Sequence, residues 1–122
     1  MKIRPERVAN VMRREVADIL ANRLRDPRVG PWVSVTDVEI SGDLASAKVY
    51  VSVLHTGDER DRVFEALRHA TPFVRRELAP RLGLREVPEI RFVHDTSIET
   101  GARVDELLRK LEHGEPVDDG ED

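Results

Sequence analysis

Residues 45 to 54, Ala45-Ser46-Ala47-Lys48-Val49-Tyr50-Val51-Ser52-Val53-Leu54, alternate between apolar and polar side chains. Ala47, Val49, Val51 and Val53 fall on one face, and Ser46, Lys48, Tyr50 and Ser52 on the other. That period of two is the mark of a half-buried strand. Residues 33 to 40 are β-branched and alternate as well, but the apolar phase slips between Val35 and Val38. The slip places a bulge near Thr36-Asp37. Ser41-Gly42-Asp43 is a turn signal, so the two runs pair as antiparallel neighbours.

Helical periodicity flanks this pair. Upstream, Val8, Met12, Val16, Ile19, Leu20 and Leu24 recur at helical spacing across residues 5 to 25. Pro5 suits the first turn, and Asp26-Pro27 closes the helix because proline drives its predecessor out of the α region. Val29-Gly30-Pro31 makes the following turn. Downstream, residues 59 to 82 carry a stripe of Val63, Leu67, Ala70, Val74 and Leu78. Pro72 has no N–H for the Arg68 carbonyl and clashes with it, so the spacing predicts a kink or a division there. Pro80 repeats the disturbance, and Gly83 fits a C-terminal cap. Residues 89 to 94 read as a short strand with Ile90 and Phe92 on one face. Thr96-Ser97-Ile98-Glu99 matches a capping box for a last helix through Val104, Leu107, Leu108 and Leu111 to His113. The expected class is α+β, in the order α-β-β-α(kinked)-β-α, with helices packed on one face of a three-stranded sheet.

The chain's 122 residues suit one domain, and a hydrophobic fraction of 39% is enough for one core. There are no cysteines, which excludes disulfides, thiolate metal sites and Cys nucleophiles. No apolar run is long enough to span a bilayer or to serve as a signal peptide, so a soluble, cytoplasmic protein is expected.

The net charge of −4 is unevenly distributed. Residues 114 to 122 hold five acids and no base, which leaves residues 1 to 113 at +1. The expected organisation is a folded domain over residues 1–113 and a disordered acidic tail over 114–122. Residues 1–28 carry +4 and residues 58–85 carry +2. The bases are 17 Arg against 3 Lys. Arginine forks onto phosphate and stacks on bases, although a GC-rich genome gives the same bias.

No enzyme signature survives inspection. The four histidines, His55, His69, His94 and His113, are scattered, with no pair at ligand spacing. His94, Asp95 and Ser97 contain the letters of a triad but lack a nucleophile elbow. Neither a P-loop nor a G-x-G-x-x-G run exists. A non-enzymatic protein without cofactor or metal is therefore expected. Nucleic-acid binding has more support. At 100° per residue, Arg7, Arg14 and Arg25 share one face of the first helix, away from its apolar stripe. If Thr71 caps a second half-helix starting at Pro72, free N–H groups and a dipole end meet Arg75 and Arg76, with Arg68 beside them. That arrangement would hold an anion. The competing reading is that Pro72 only bends the helix around the core while the arginines face water.

The chain resembles the ribosome-binding factor A family over residues 5–111. Asp26-Pro27-Arg28-Val29-Gly30 is similar to the family's helix-to-strand turn. Val35-Thr36-Asp37-Val38-Glu39-Ile40-Ser41, Asp43-Leu44 and Ala47-Lys48-Val49-Tyr50-Val51-Ser52-Val53 are similar to its hairpin. Ala66-Leu67, Phe73-Val74-Arg75, Leu78, Leu84-Arg85, Pro88-Glu89-Ile90, Phe92 and Asp95-x-Ser97 continue in the same order. The resemblance implies a type II KH-like fold that associates with the free small (30S) ribosomal subunit. It also implies late maturation of that subunit, 5′-end processing of 16S rRNA, and growth at low temperature. The family's Ala-x-Gly kink reads Ala70-Thr71-Pro72 here, without the glycine. The expected RNA contacts are Arg7, Arg14, Arg25, Arg68, Thr71, Arg75 and Arg76. The expected partners are the small ribosomal subunit and its 16S rRNA, with the chain acting as a monomer and no membrane involved. A protein–protein adaptor using the sheet edge and charged helix faces is the alternative, and a homodimer through that edge stays open.

Overall fold

The computed structural model describes residues 4–97. The expected last helix and the acidic tail lie outside the described residues. Helix α1 spans Pro5–Asp18 and continues through a π-helical turn over Ile19–Arg23. Strands β1 (Val33–Ile40) and β2 (Ser46–Val53) follow, then helix α2 (Gly57–Leu82) and strand β3 (Glu89–His94). The protein is α+β: two helices and a three-stranded mixed sheet in the order β1-β2-β3. Strands β1 and β2 run antiparallel, whereas β3 lies parallel to β2. A parallel neighbour cannot be reached by a tight turn, and α2 supplies the crossover.

The alternation in β2 translates directly into burial. Ala47, Val49, Val51 and Val53 are buried, while Ser46 and Lys48 are exposed. The buried face meets Val8, Met12 and Val16 of α1 and Val63, Leu67, Ala70, Val74 and Leu78 of α2 in one core. Both helices therefore cover the same face of the sheet. The pairing of β1 with β2 jumps between Val35 and Asp37, which leaves Thr36 as the bulged residue. Its hydroxyl donates to Asp95 Oδ2 at 2.5 Å, so the end of β3 is tied across β2 to the bulge. That bond, followed by the Ser97 N–H, holds the Asp95 carboxyl below its usual range. The stabilisation is present above the unfolded value and is lost as pH falls through the folded one.

The turn after α1 explains the run Asp26-Pro27-Arg28-Val29-Gly30. Asp26 Oδ1 accepts the Arg28 N–H at 2.9 Å and its Nε at 3.1 Å, and Oδ2 accepts Nη2 at 2.9 Å. Trp32 Nε1 donates to the Arg28 carbonyl and lays its ring over Gly30. A Cβ on Gly30 would stand 2.6 Å from that ring, so only glycine fits.

Two expectations need correction. The first helix does not continue regularly to residue 25. The Leu24 N–H donates to the Ile19 carbonyl, five residues back, and Leu24 itself is extended (φ −80°, ψ 131°). The wide turn keeps both Ile19 and Leu20 buried, but it shifts the helical phase by about one residue, or ~100°. Arg25 consequently stands past the helix and off the face that carries Arg7 and Arg14.

The second correction concerns the division that is one of the two outcomes expected at Pro72. Helix α2 runs undivided from Gly57 to Leu82 with Pro72 and Pro80 inside it, capped by Gly83 in the left-handed region (φ 66°). Pro72 is exposed, on the side opposite the buried stripe. Interior proline costs roughly 3 kcal/mol. Each buried aliphatic of the stripe returns about 1.5–3 kcal/mol, so packing outweighs the proline. Pro72→Ala restores the N–H facing the Arg68 carbonyl in a helix already formed. It is expected to raise stability by about 1–2 kcal/mol, part of the ~3 kcal/mol difference being offset by the freer unfolded chain. Thermal unfolding measures this, and a lower midpoint for Pro72→Ala would show the helix to be broken at residue 72.

Candidate nucleic-acid interface

Several arginines are committed to holding the fold. Arg81 Nη1 donates to Asp18 Oδ2 at 2.6 Å and to Glu15 Oε1 at 3.0 Å. Arg23 Nε donates to Glu77 Oε1 at 2.9 Å. Residue numbers rise along α1 as they fall along α2 in these pairs, so the helices lie antiparallel. Arg81, and then Asn22, holds the Asp18 carboxyl below its ordinary value. The hydrogen bonds from Arg28 do the same for Asp26, with a smaller contribution from His69.

Four of the arginines expected to contact RNA form two sets. Arg7 and Arg14 are exposed and line one surface groove on α1 with Arg4, Glu6, Asn10 and Val11. Seven residues of helix separate Arg7 from Arg14, two turns or about 10 Å along the axis. Neither makes an ion pair among the described residues. The second set is on α2, where Arg68 and Arg76 are exposed on either side of Pro72. They too have no ion pair among the described residues. Arg25 is exposed but belongs to neither helix. The structure thus brings Arg7 together with Arg14, keeps Arg68 and Arg76 on one helix, and detaches Arg25 from the row.

Thr71 and Arg75 have other duties. Because α2 is undivided, no second helix N-terminus exists, and Thr71 is not a cap. Its hydroxyl instead donates to the Leu67 carbonyl at 2.9 Å, one turn back. Arg75 is half-buried and donates Nη2 to the Val87 carbonyl at 2.8 Å and Nε to the Pro88 carbonyl at 3.1 Å. It shares a groove with Asp43, Glu86 and Glu89. The helix N-terminus expected at Pro72 is therefore not formed, and Arg75 pins the loop before β3.

Sequence reasoning missed Arg4, which precedes the helix and joins its groove. It also missed Arg62 and His69, exposed residues spaced by seven with Arg76 and therefore on nearly one line of α2. That spacing is readable in the sequence. Among the described residues no group of three His, Asp or Glu side chains is placed to hold a metal ion. No described helix is long and apolar enough to cross a membrane.

Comparison with known proteins agrees with this layout. The ribosome-binding factor A family matches residues 4–108. A ribosome-binding factor A from Trichormus variabilis is 48% identical, over 95% of this chain and 88% of its own. One from Staphylococcus epidermidis is 45% identical, over 89% of this chain and 93% of its own. The crystal structure of ribosome-binding factor A from Thermus thermophilus superimposes with a TM-score of 0.66 at 24% identity. It covers 75% of this chain and 97% of that one, and shows the shared fold. A Thermus thermophilus ribosome-binding factor A fitted into the cryo-EM map of a 30S complex gives a TM-score of 0.57 at 26% identity, over 70% of this chain and 89% of that one. The chain belongs to the ribosome-binding factor A family, whose members are non-enzymatic ribosome assembly factors.

Proposed function

We propose that this chain binds the free 30S subunit in the cytoplasm, as a monomer, and promotes its late maturation, including 5′-end processing of 16S rRNA. One domain over residues 1–113 carries the binding, with residues 114–122 as an acidic tail. The single observation supporting this reading, beside family membership, is the division of labour among the arginines. Arg23, Arg28, Arg75 and Arg81 are consumed by the fold, while Arg7, Arg14, Arg68 and Arg76 are presented to solvent on two adjacent helices. Cations without an ion pair among the described residues are available to phosphate, and phosphate contacts supply most of the affinity for RNA. Such a protein acts by occupying and positioning rRNA, since no reaction is asked of it. Arg25 adds a further contact from the turn, and Thr71 and Arg75 contribute by holding α2 and the loop before β3 in place.

The test is the state of 16S rRNA 5′ ends in cells depleted of the protein, read by primer extension. Unprocessed ends are expected to accumulate, to disappear with the wild-type chain, and to persist with Arg7→Ala, Arg14→Ala, Arg68→Ala and Arg76→Ala combined. Normal 5′ ends in depleted cells would overturn the processing role.

A further inference from the structure

Among the described residues, the groove on α1 carries more arginines than acids. Further along α1, Glu15 and Asp18 are held by Arg81. Arg4, Arg7 and Arg14 keep only Glu6 among the residues lining their groove. Elsewhere the chain carries the complementary charge in one block. Residues 114 to 122, Gly-Glu-Pro-Val-Asp-Asp-Gly-Glu-Asp, hold five acids and no base.

We propose that this acidic segment seats on the α1 arginine groove of its own chain when RNA is absent, and competes there with the phosphate backbone. The inference rests on reading that groove as a phosphate-contacting surface. Reach is not limiting. Sixteen residues lie between Ser97 and Gly114, spanning about 24 Å if helical and about 55 Å if extended. The radius of gyration of a domain this size is about 13 Å. Each carboxylate–guanidinium pair on such a surface is weak and screened by salt. Tethering raises the effective concentration of the acids to the millimolar range, so several weak pairs act together. The segment thereby favours targets that present several phosphates at once over a stray single anion, a preference gained by competition and not by added contacts.

The experiment has two arms and uses the full chain. In the first, arginine Nε–Hε resonances are compared, without RNA, between the wild type and a tail-neutral variant. That variant carries Glu115→Gln, Asp118→Asn, Asp119→Asn, Glu121→Gln and Asp122→Asn. Shifts are expected at Arg4, Arg7 and Arg14 and not at Arg68 or Arg76. Unchanged resonances, or equal shifts at every exposed arginine, overturn the seat. In the second arm, affinity for a 16S rRNA fragment is measured at about 50 and 200 mM salt. The tail-neutral variant is expected to bind three- to tenfold tighter at the lower salt and within twofold of wild type at the higher. The gain should vanish when Arg7→Ala and Arg14→Ala are added, and an undiminished gain in that background overturns the competition. If the resonances shift as expected but Arg7→Ala with Arg14→Ala leaves RNA affinity intact, the reading of the groove as an RNA surface is what fails, and the competition falls with it.

Discussion

Replacing Arg7, Arg14, Arg68 and Arg76 together by alanine is expected to weaken binding to 16S rRNA about 100-fold or more at low salt. It is also expected to flatten the plot of log K against log salt by ~3–4 units. The reasoning is counterion release. Each arginine that neutralises a phosphate frees roughly one condensed ion, so each lost contact removes about one unit of slope. The loss should be similar for unrelated RNA sequences, because phosphate carries no sequence information. Stability should change little, since all four side chains are exposed and make no ion pair among the described residues. Binding titrations across a salt series measure the slope. An unchanged slope with normal affinity would place the RNA contacts elsewhere, with Arg25 and the line of Arg62 and His69 next to be tested.

Arg75→Ala and Arg76→Ala are expected to separate cleanly although the residues are adjacent. Arg75→Ala leaves the carbonyls of Val87 and Pro88 without their donor, in a loop whose Pro88 is fully buried. Charge-assisted bonds of this kind are worth about 1.5–3 kcal/mol each. Discounting for partial exposure, a loss of about 2 kcal/mol is expected, with a fall of several degrees in the unfolding midpoint. Arg75→Lys should recover little, because an ammonium lacks the planar fork that reaches two carbonyls. Arg76→Ala is expected to alter stability by less than ~0.5 kcal/mol, as exposed substitutions usually do, and to reduce RNA affinity instead. Thermal unfolding of the three variants decides the matter. An unchanged midpoint for Arg75→Ala, together with weakened RNA binding, would return Arg75 to the phosphate-contacting set.

These two residues also show what a sequence can and cannot reveal here. Periodicity marks the buried face of β2 and the α2 stripe, because burial on one face imposes its period on the letters. It even locates the bulge at Thr36, since an extra residue leaves a visible slip of phase. The π-helical turn leaves no comparable trace. Ile19, Leu20 and Leu24 fit a regular helix equally well, so the ~100° shift that removes Arg25 from the α1 face is not legible. The proline at 72 misleads for a different reason. Local chemistry argues for a break, and only the packing of Val63, Leu67, Val74 and Leu78 against the sheet shows why the helix persists. Arg75 escapes a reading of the letters because its partners are carbonyls twelve and thirteen residues away. A backbone carbonyl has no signature in the sequence.

The most direct test of the central claim is co-sedimentation of the chain with free 30S subunits and with assembled ribosomes, each at about 50 and 200 mM salt. The chain is expected to travel with free subunits at the lower salt, to leave them progressively at the higher, and to be absent from assembled ribosomes at both. Equal recovery with both particles, or recovery that salt does not alter, would contradict an assembly factor held to the small subunit by its exposed arginines.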